Sequence, residues 1–313
     1  MRVGKKYRSL QVVAALILFV LLASKCVSSS DVKSDLRGEA YAGADRCQKC
    51  HAAVFESYQQ TAHAQTSQLP TGHTIKGLFD SAHNQFVFSD SWKVVMEKHT
   101  GGFYQTAYNN GKKTASHPFD VVIGSGRKAQ TFLYFDSAGY NQLPISYFVP
   151  EHTWANSPNF PTDAPKFDRP IPSGCFGCHS SGIAVTETYQ GMQKRETFQI
   201  GKIIYGIDCE RCHGPAAAHV AYQEENPNDK QAKFITAIRS LNRQQSVELC
   251  AICHSGTKNM QKPAFAFQPG QVRDDYFFPD YGGPVIENID VHGNQYALMK
   301  ASACYTQSQT LTC

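Results

Sequence analysis

Hydrophobic and polar positions fall into three patterns along the 313 residues. The first is an apolar run, LQVVAALILFVLLA from Leu10 to Ala23, behind the basic start MRVGKKYR. The second spans Asn84 to Val149. There NQFVFSD, WKVVMEK, GGFYQTAY, PFDVVIG, AQTFLYF and LPISYFV are short runs rich in Val, Phe, Tyr and Thr, punctuated by Gly, Asn and Asp. Such runs predict an antiparallel β-meander of about five or six strands. Within it, IGSGRKAQ at Ile123 to Gln130 lacks the third glycine and the following helix of a phosphate loop, and it reads as a tight hairpin turn. The third pattern has helical spacing. In AAVFESYQQTAHAQTS it places Val54, Tyr58 and Ala62 together, and in NDKQAKFITAIRSLNRQQSVELC it puts Phe234, Ile238, Leu241 and Leu249 on or near one side. These positions read as core-facing.

The first pattern reads as an export signal, since it has signal-peptide length and is short for a membrane span. Small residues at VSS, Val27 to Ser29, suit cleavage, which predicts a leader over 1–29. Cys26 raises a lipidated N-terminus, which Lys25 before it fits poorly; an uncleaved anchor is the runner-up and would be the chain's sole membrane contact. Residues 1–29 hold five Lys or Arg and no acids, so the remainder carries 25 basic against 26 acidic residues, or −1 net. The formal +4 of the whole chain is then no argument for nucleic acid, and no nucleic-acid partner is expected. With 18% charged and 12% aromatic residues the chain is a folded one, long enough for one large or two modest domains.

The cysteines change the picture. Five-residue C-x-x-C-H motifs stand at Cys47, Cys50 and His51 (CQKCH), Cys175, Cys178 and His179 (CFGCH), Cys209, Cys212 and His213 (CERCH), and Cys250, Cys253 and His254 (CAICH). Composition alone predicts roughly 0.015 such matches in a chain of this kind. The spacing is that of c-type haem attachment: two thiols add across the two vinyl groups, and the adjacent imidazole reaches the iron from one face. Cys-x-x-Cys pairs also build zinc sites and redox dithiols, but neither needs a histidine after every second cysteine. Four covalent haem c (heme c) groups are expected. They would supply much of the apolar core, so the expected fold class is α+β: a mainly helical and loop core organised by haem, with an inserted antiparallel β-rich segment. The expected organisation is a leader over 1–29, a first haem segment over 40–80, the β-rich insert over 81–155 and a multihaem domain over 165–313.

GIDCERCHGPAAAHV, Gly206 to Val220, carries a second histidine six residues after His213. On one continuous helix, six residues turn about 600°, or about 240° net. His213 and His219 would face different ways and could not close on one iron. Either His219 serves the iron of a neighbouring haem, or it is a polar residue near a helix end.

These residues resemble the exported multihaem c-type cytochromes of the cytochrome c-554 type, a group related to hydroxylamine oxidoreductase and multihaem nitrite reductases. The stretches that carry the resemblance are GADRCQKCH with TAHA, SGCFGCHSSG, GIDCERCHGPAAAHV, LCAICHSG and DVHGNQYALMKASACY. It implies that His63, His219 and His292 are distal ligands to haems attached elsewhere, with His117 and His152 as weaker candidates at the edge of the insert. His73, His83 and His99 read as surface or turn residues. In such cytochromes a segment like SACYTQSQTLTC runs on into a further Cys-His pair. The resemblance therefore implies a truncated sequence, with Cys313 as half of a fifth attachment site. The alternative is a disulfide between Cys304 and Cys313.

Three functions follow from these readings. Haems with histidine on both faces pass single electrons, which predicts a periplasmic carrier, or one attached to the outer face of the membrane, linking redox proteins such as a quinol oxidase or a terminal reductase. A reductase of small nitrogen or sulfur compounds would need one five-coordinate iron and nearby proton donors; Arg127, Lys128 and His117 are the candidates, and the sequence has no C-x-x-C-K motif. In the third, the insert is a docking module and the haems are structural staples.

Overall fold

The computed structural model describes residues 35–137, 139–256, 260–278 and 294–313. The expected leader over 1–29 and the candidate His292 lie outside them. Among the described residues, no helix is long and apolar enough to cross a membrane.

The chain begins with helix α1 (Ala44–Gln59) and the short strand β1 (Ser67–Gln68). A four-stranded antiparallel meander follows: β2 (Gln85–Val87), β3 (Trp92–His99), β4 (Gly102–Asn109) and β5 (Lys112–Pro118). One of its two-residue turns is Asn110-Gly111, with φ of 46° and 76°. Asn-Gly takes this left-handed pair more readily than other dipeptides, and the twist it imposes matches the flanking strands. The next strands are β6 (Val121–Ile123), β7 (Ala129–Phe135), β8 (Tyr140–Gln142), β9 (Ile145–Phe148), β10 (Thr153–Asn156) and β11 (Arg169–Pro170). They form a seven-stranded antiparallel sheet with the path β1-β6-β7-β8-β11, while β9 pairs with β7 and β10 with β9. The stretch IGSGRKAQ is indeed a hairpin connection, between β6 and β7, with Gly124 and Gly126 at φ of 105° and 76°.

Period-2 alternation makes this second sheet two-faced. Val122, Phe132 and Tyr134 face the meander and pack with Val94, Met96, Ala107, Ile145, Tyr147 and Trp154. Val121, Leu133 and Tyr140 pack in a separate cluster with Phe176, Ile183 and Phe198. The latter three belong to the motif segments: Phe176 to α2 (Ser173–His179), Ile183 to β12 (Ser180–Gln190) and Phe198 to β13 (Gln193–Tyr205). The sheet is thus the wall on which the second attachment motif is built. Further on lie α3 (Cys209–His213), α4 (Ala217–Glu225), α5 (Arg243–His254), α6 (Gln295–Ala301) and α7 (Ala303–Gln307).

The expected mainly helical, haem-organised core is not what forms. Among the described residues, thirteen strands in three sheets dominate, and most helices are short. Two stretches account for most of the difference. Residues 180–205 are a two-stranded hairpin, β12 with β13, turning at Gly191 with φ 60°. In NDKQAKFITAIRSLNRQQSVELC only the part from Arg243 onward is α-helical. Upstream, Phe234 has φ 58° and is 64% exposed, and a single 3-10 turn covers Ile238–Ser240. The helix starts where it does because Asn242 and Gln245 form a capping box, each side chain accepting from the other's backbone N–H. The insert also differs from one meander, since its strands divide between the two sheets of a sandwich.

Candidate functional site

Each C-x-x-C-H motif sits on a helix, and each motif histidine marks a break in it. The helices α2, α3 and α5 end on His179, His213 and His254. In α1 the helix continues, but His51 departs from helical geometry with φ −114° and ψ 38°. One helical turn lines up the two cysteines; stopping or kinking at the histidine frees its ring from the helix face. Local sequence enforces this in α3. Asp208 caps its start by accepting from Arg211 N at 3.0 Å, and Gly214 ends it at φ 78°.

The four motifs are not separate. Helix α1 packs on α3, and α2 on α5. The Cys47 and Cys209 thiols lie close enough to perturb one another, which pushes Cys47 up and Cys209 down. The same proximity of Cys178 and Cys253 pushes Cys178 up and Cys253 down to about 7. Burial, followed by the charge of Cys253, pushes Cys212 up to about 11. The first and third motifs therefore meet, as do the second and fourth, and Cys212 links the two pairs. Cys304 and Cys313 are both free and exposed, so they are not bonded to each other. Instead Cys313 neighbours Cys250, which is pushed up to about 12 by burial first and then by that neighbour.

Charged groups lock this arrangement. Glu210, between the cysteines of the third motif, is 3% exposed and accepts from Ala42 N, Gly43 N, Ala216 N and Arg37 Nη2 at 2.8–2.9 Å. Arg37 also pairs with Asp35 and Asp208 at 2.9 and 2.8 Å. Arg211 Nη2 donates to Gly177 O at 3.0 Å and Ala264 O at 3.2 Å, joining the third motif to the second.

Histidine orientation is the most informative feature. His213 Nδ1 lies 2.9 Å from Thr236 O, and His219 Nδ1 lies 2.9 Å from Lys233 O. A carbonyl can only accept, so Nδ1 carries the proton and the Nε2 lone pair is left for a metal. His254 Nδ1 is held by Gln295 Oε1 at 3.2 Å, and His179 Nδ1 by Thr66 Oγ1 at 3.2 Å. Metal-bound histidines are oriented in this way, through the ring nitrogen that does not bind the metal. Burial pushes His179 below the usual imidazole value, which favours the neutral ring a metal needs.

His63 faces His254. Their ring centres are 6.0 Å apart with planes at 85°. Two imidazoles bonded to one metal at about 2 Å each place their ring centres about 6 Å apart. Burial, then the nearby His254, pushes His63 down. The segment carrying His63 is fixed from both sides: Ile207 N donates to His63 O at 2.9 Å, and Gly124 N to Thr66 O at 2.7 Å.

The other candidates are more dispersed. His219 lies in the first turn of α4, and Gly214-Pro215-Ala216 separates it from α3. The continuous helix behind the 240° argument is therefore absent. His213 and His219 are instead held by two carbonyls of one short loop, Lys233 and Thr236. His117 lies in β5, its ring between Tyr134 at 4.1 Å and Phe167 at 4.8 Å, inside the β-sandwich. His152 is an exposed turn residue with φ 51°, and His73, His83 and His99 are exposed. Arg127 reaches Gln60 O at 3.1 Å, while Lys128 is exposed. The sequence reading missed the groups that hold the imidazoles. Two of them are backbone carbonyls, which carry no side-chain signal.

The residues fit haem. Four thiol pairs lie on single helical turns, and three of the motif imidazoles, those of His179, His213 and His254, are held at Nδ1 by an oxygen. Among the described residues no three His, Cys, Asp or Glu side chains converge as a zinc site would require. Comparison with known proteins agrees. The family model described as cytochrome c554 and c-prime matches residues 46–115 and 161–214, which hold the first three motifs. No curated protein and no solved structure matched the chain. The match supports a c-type cytochrome, and with it covalently bound haem c and an electron-transfer role.

Proposed function

We propose that this protein is an exported tetrahaem carrier that passes single electrons between redox partners, such as a quinol oxidase and a terminal reductase, and that it is related to the hydroxylamine oxidoreductase type of multihaem protein. Haem c, bound at Cys47/Cys50, Cys175/Cys178, Cys209/Cys212 and Cys250/Cys253, supplies a one-electron iron couple. The chain supplies the rest. His51, His179, His213 and His254 would each hold the iron of their own motif's haem; His63 and His219, with His292 as a further candidate, would hold irons from the other side. Helix ends place His179, His213 and His254, and the oxygens of Thr236 and Gln295 hold the Nδ1 protons of His213 and His254, which would leave Nε2 free to hold an iron. The observation that carries the reading is the His63–His254 pair: two facing rings at 6.0 Å would both hold the iron of the fourth haem, which suits electron transfer rather than substrate binding at that haem.

The test is intact mass, optical spectrum and EPR of oxidised protein matured with haem-attachment machinery. Four added haems, all low spin, are expected. A high-spin haem whose spectrum shifts with nitrite or hydroxylamine would overturn the carrier reading in favour of a reductase.

A further inference from the structure

Among the described residues, the guanidinium of Arg273 is the one buried cation beside the fourth motif that no step above uses. It lies in a 3-10 turn (Arg273–Tyr276) and is 7% exposed. Two chains of contact lead from it to His254. Its Nη2 donates to Ser255 Oγ at 3.1 Å, and Ser255 follows His254 in sequence. Its Cζ stacks 5.0 Å from the ring centre of Tyr296, and Tyr296 follows Gln295, which holds His254 Nδ1. It also stacks 5.0 Å from Phe277. Guanidinium keeps its charge at every accessible pH. Two carboxylates accompany it. Asp274 pairs with Nη1 at 2.5 Å, but its side chain is 79% exposed and water screens it. Glu248 is buried; it accepts from Gln244 Nε2 at 2.8 Å and from Arg273 N at 3.4 Å, and lies six residues before His254 on α5.

We propose that Arg273 raises the reduction potential of the haem at Cys250 and Cys253, and that Glu248 and Asp274 oppose it. Resting on the haem reading above, this assigns a role to a residue that touches neither cofactor nor ligand. A fixed positive charge in a poorly solvated place favours the reduced iron, whose net charge is one unit lower. Burial and nearby charge are the general levers on such potentials. The expected consequence is a fourth haem that takes up electrons more readily than its environment without Arg273 would allow.

The test is spectroelectrochemical titration of the matured full chain, with intact mass and EPR on each variant. Arg273→Met should lower the reduction equilibrium constant of one haem about tenfold, the size expected of a unit charge acting over about 10 Å through an effective dielectric near 20. Arg273→Lys should recover most of that. Glu248→Gln and Asp274→Asn should move the same haem the opposite way, with Asp274→Asn the smaller because it is exposed. A purely structural role would not give opposite signs for opposite charges. Four haems and no shift in any of these variants would overturn the inference while leaving the carrier reading intact. Failure of the wild-type chain to carry haem on Cys250 and Cys253 would overturn both.

Discussion

Gly206 offers a sharp test of how His63 is placed. Its φ is +67°, and a Cβ there would run into the backbone carbonyl of Ala64, next to His63. Gly206 N donates to Ser67 Oγ at 2.9 Å, and Ile207 N to His63 O at 2.9 Å. Gly206→Ala therefore has two costs. The left-handed backbone costs about 1–2 kcal/mol in any L-residue. The collision must then be relieved by moving Ala64, which strains or breaks two hydrogen bonds worth about 1 kcal/mol each. The expected total is about 3–4 kcal/mol. Gly201 provides the control. Its φ is +69°, but a Cβ would meet nothing within 4 Å. Gly201→Ala should therefore cost only the backbone strain, about 1–2 kcal/mol. Guanidinium unfolding followed by far-UV circular dichroism measures both. EPR adds a second readout, because the moved segment carries His63 away from His254: Gly206→Ala should show a high-spin fraction and Gly201→Ala none. Equal destabilisation by the two variants, with both fully low spin, would refute the reasoning.

Other predictions follow from single contacts. His63→Ala should turn one haem high spin and make it bind cyanide, whereas His117→Ala, which removes a ring from the Tyr134–Phe167 stack, should leave the EPR spectrum unchanged while lowering the unfolding midpoint. Glu210→Gln leaves the buried Arg37 without one of its charged partners and should destabilise by about 3 kcal/mol in the same unfolding assay. Burial works against the charge of Glu196, but hydrogen bonds from Ser173 and the pairing with Lys194 outweigh it, so its pKa lies below the usual value. A depressed carboxylate stabilises the fold above its unfolded pKa, and that stability is lost as pH falls through the folded one. Stability should therefore decline below about pH 4, and Glu196→Gln, which removes from β13 the carboxylate that Ser173 at the start of α2 donates to, should show a shallower acid loss. Asn242→Ala removes the cap of α5 and should cost about 1 kcal/mol.

How much of this was legible in the sequence depended on whether the signal was local. The four motifs could be read directly, because haem attachment needs its three groups within one helical turn. The β-insert could be read from its short runs rich in Val, Phe, Tyr and Thr, and the breaks between them from Gly, Asn and Asp. The hairpin over 180–205 was passed over because it follows directly on a helical motif, although Ile183 and Val185 alternate and Gly191 marks the turn. The stretch before Asn242 looked amphipathic, yet the capping box sets the helix start, and Phe234 takes a left-handed backbone that no pattern announces. Neither the meeting of His63 with His254 nor the holding of His213 and His219 could be read locally. The first spans about 190 positions of chain, and the second depends on the carbonyls of Lys233 and Thr236, which every residue type has.

The β-sandwich then has a role that neither composition nor motif suggested. The ligand segment from His63 to Ser67 is one edge of its seven-stranded sheet: β1 pairs with β6, and Gly124 N holds Thr66 O. The opposite side of the same segment is bonded to the strand end that leads into the third motif, through Ile207 N and Gly206 N. Phe176, between the cysteines of the second motif, is 1% exposed and packs 5.4 Å from Tyr140 on that sheet. Two motifs and His63 are thus also referred to one rigid frame. Ligand geometry held by regular structure is more sharply defined than geometry held by loops. The facing of His63 and His254 should therefore survive changes at neighbouring motifs. In a Cys47→Ala/Cys50→Ala variant, which cannot attach the first haem, the fourth haem should keep its low-spin EPR signal. If that haem becomes high spin, the haems organise one another and the sheet is only a passenger.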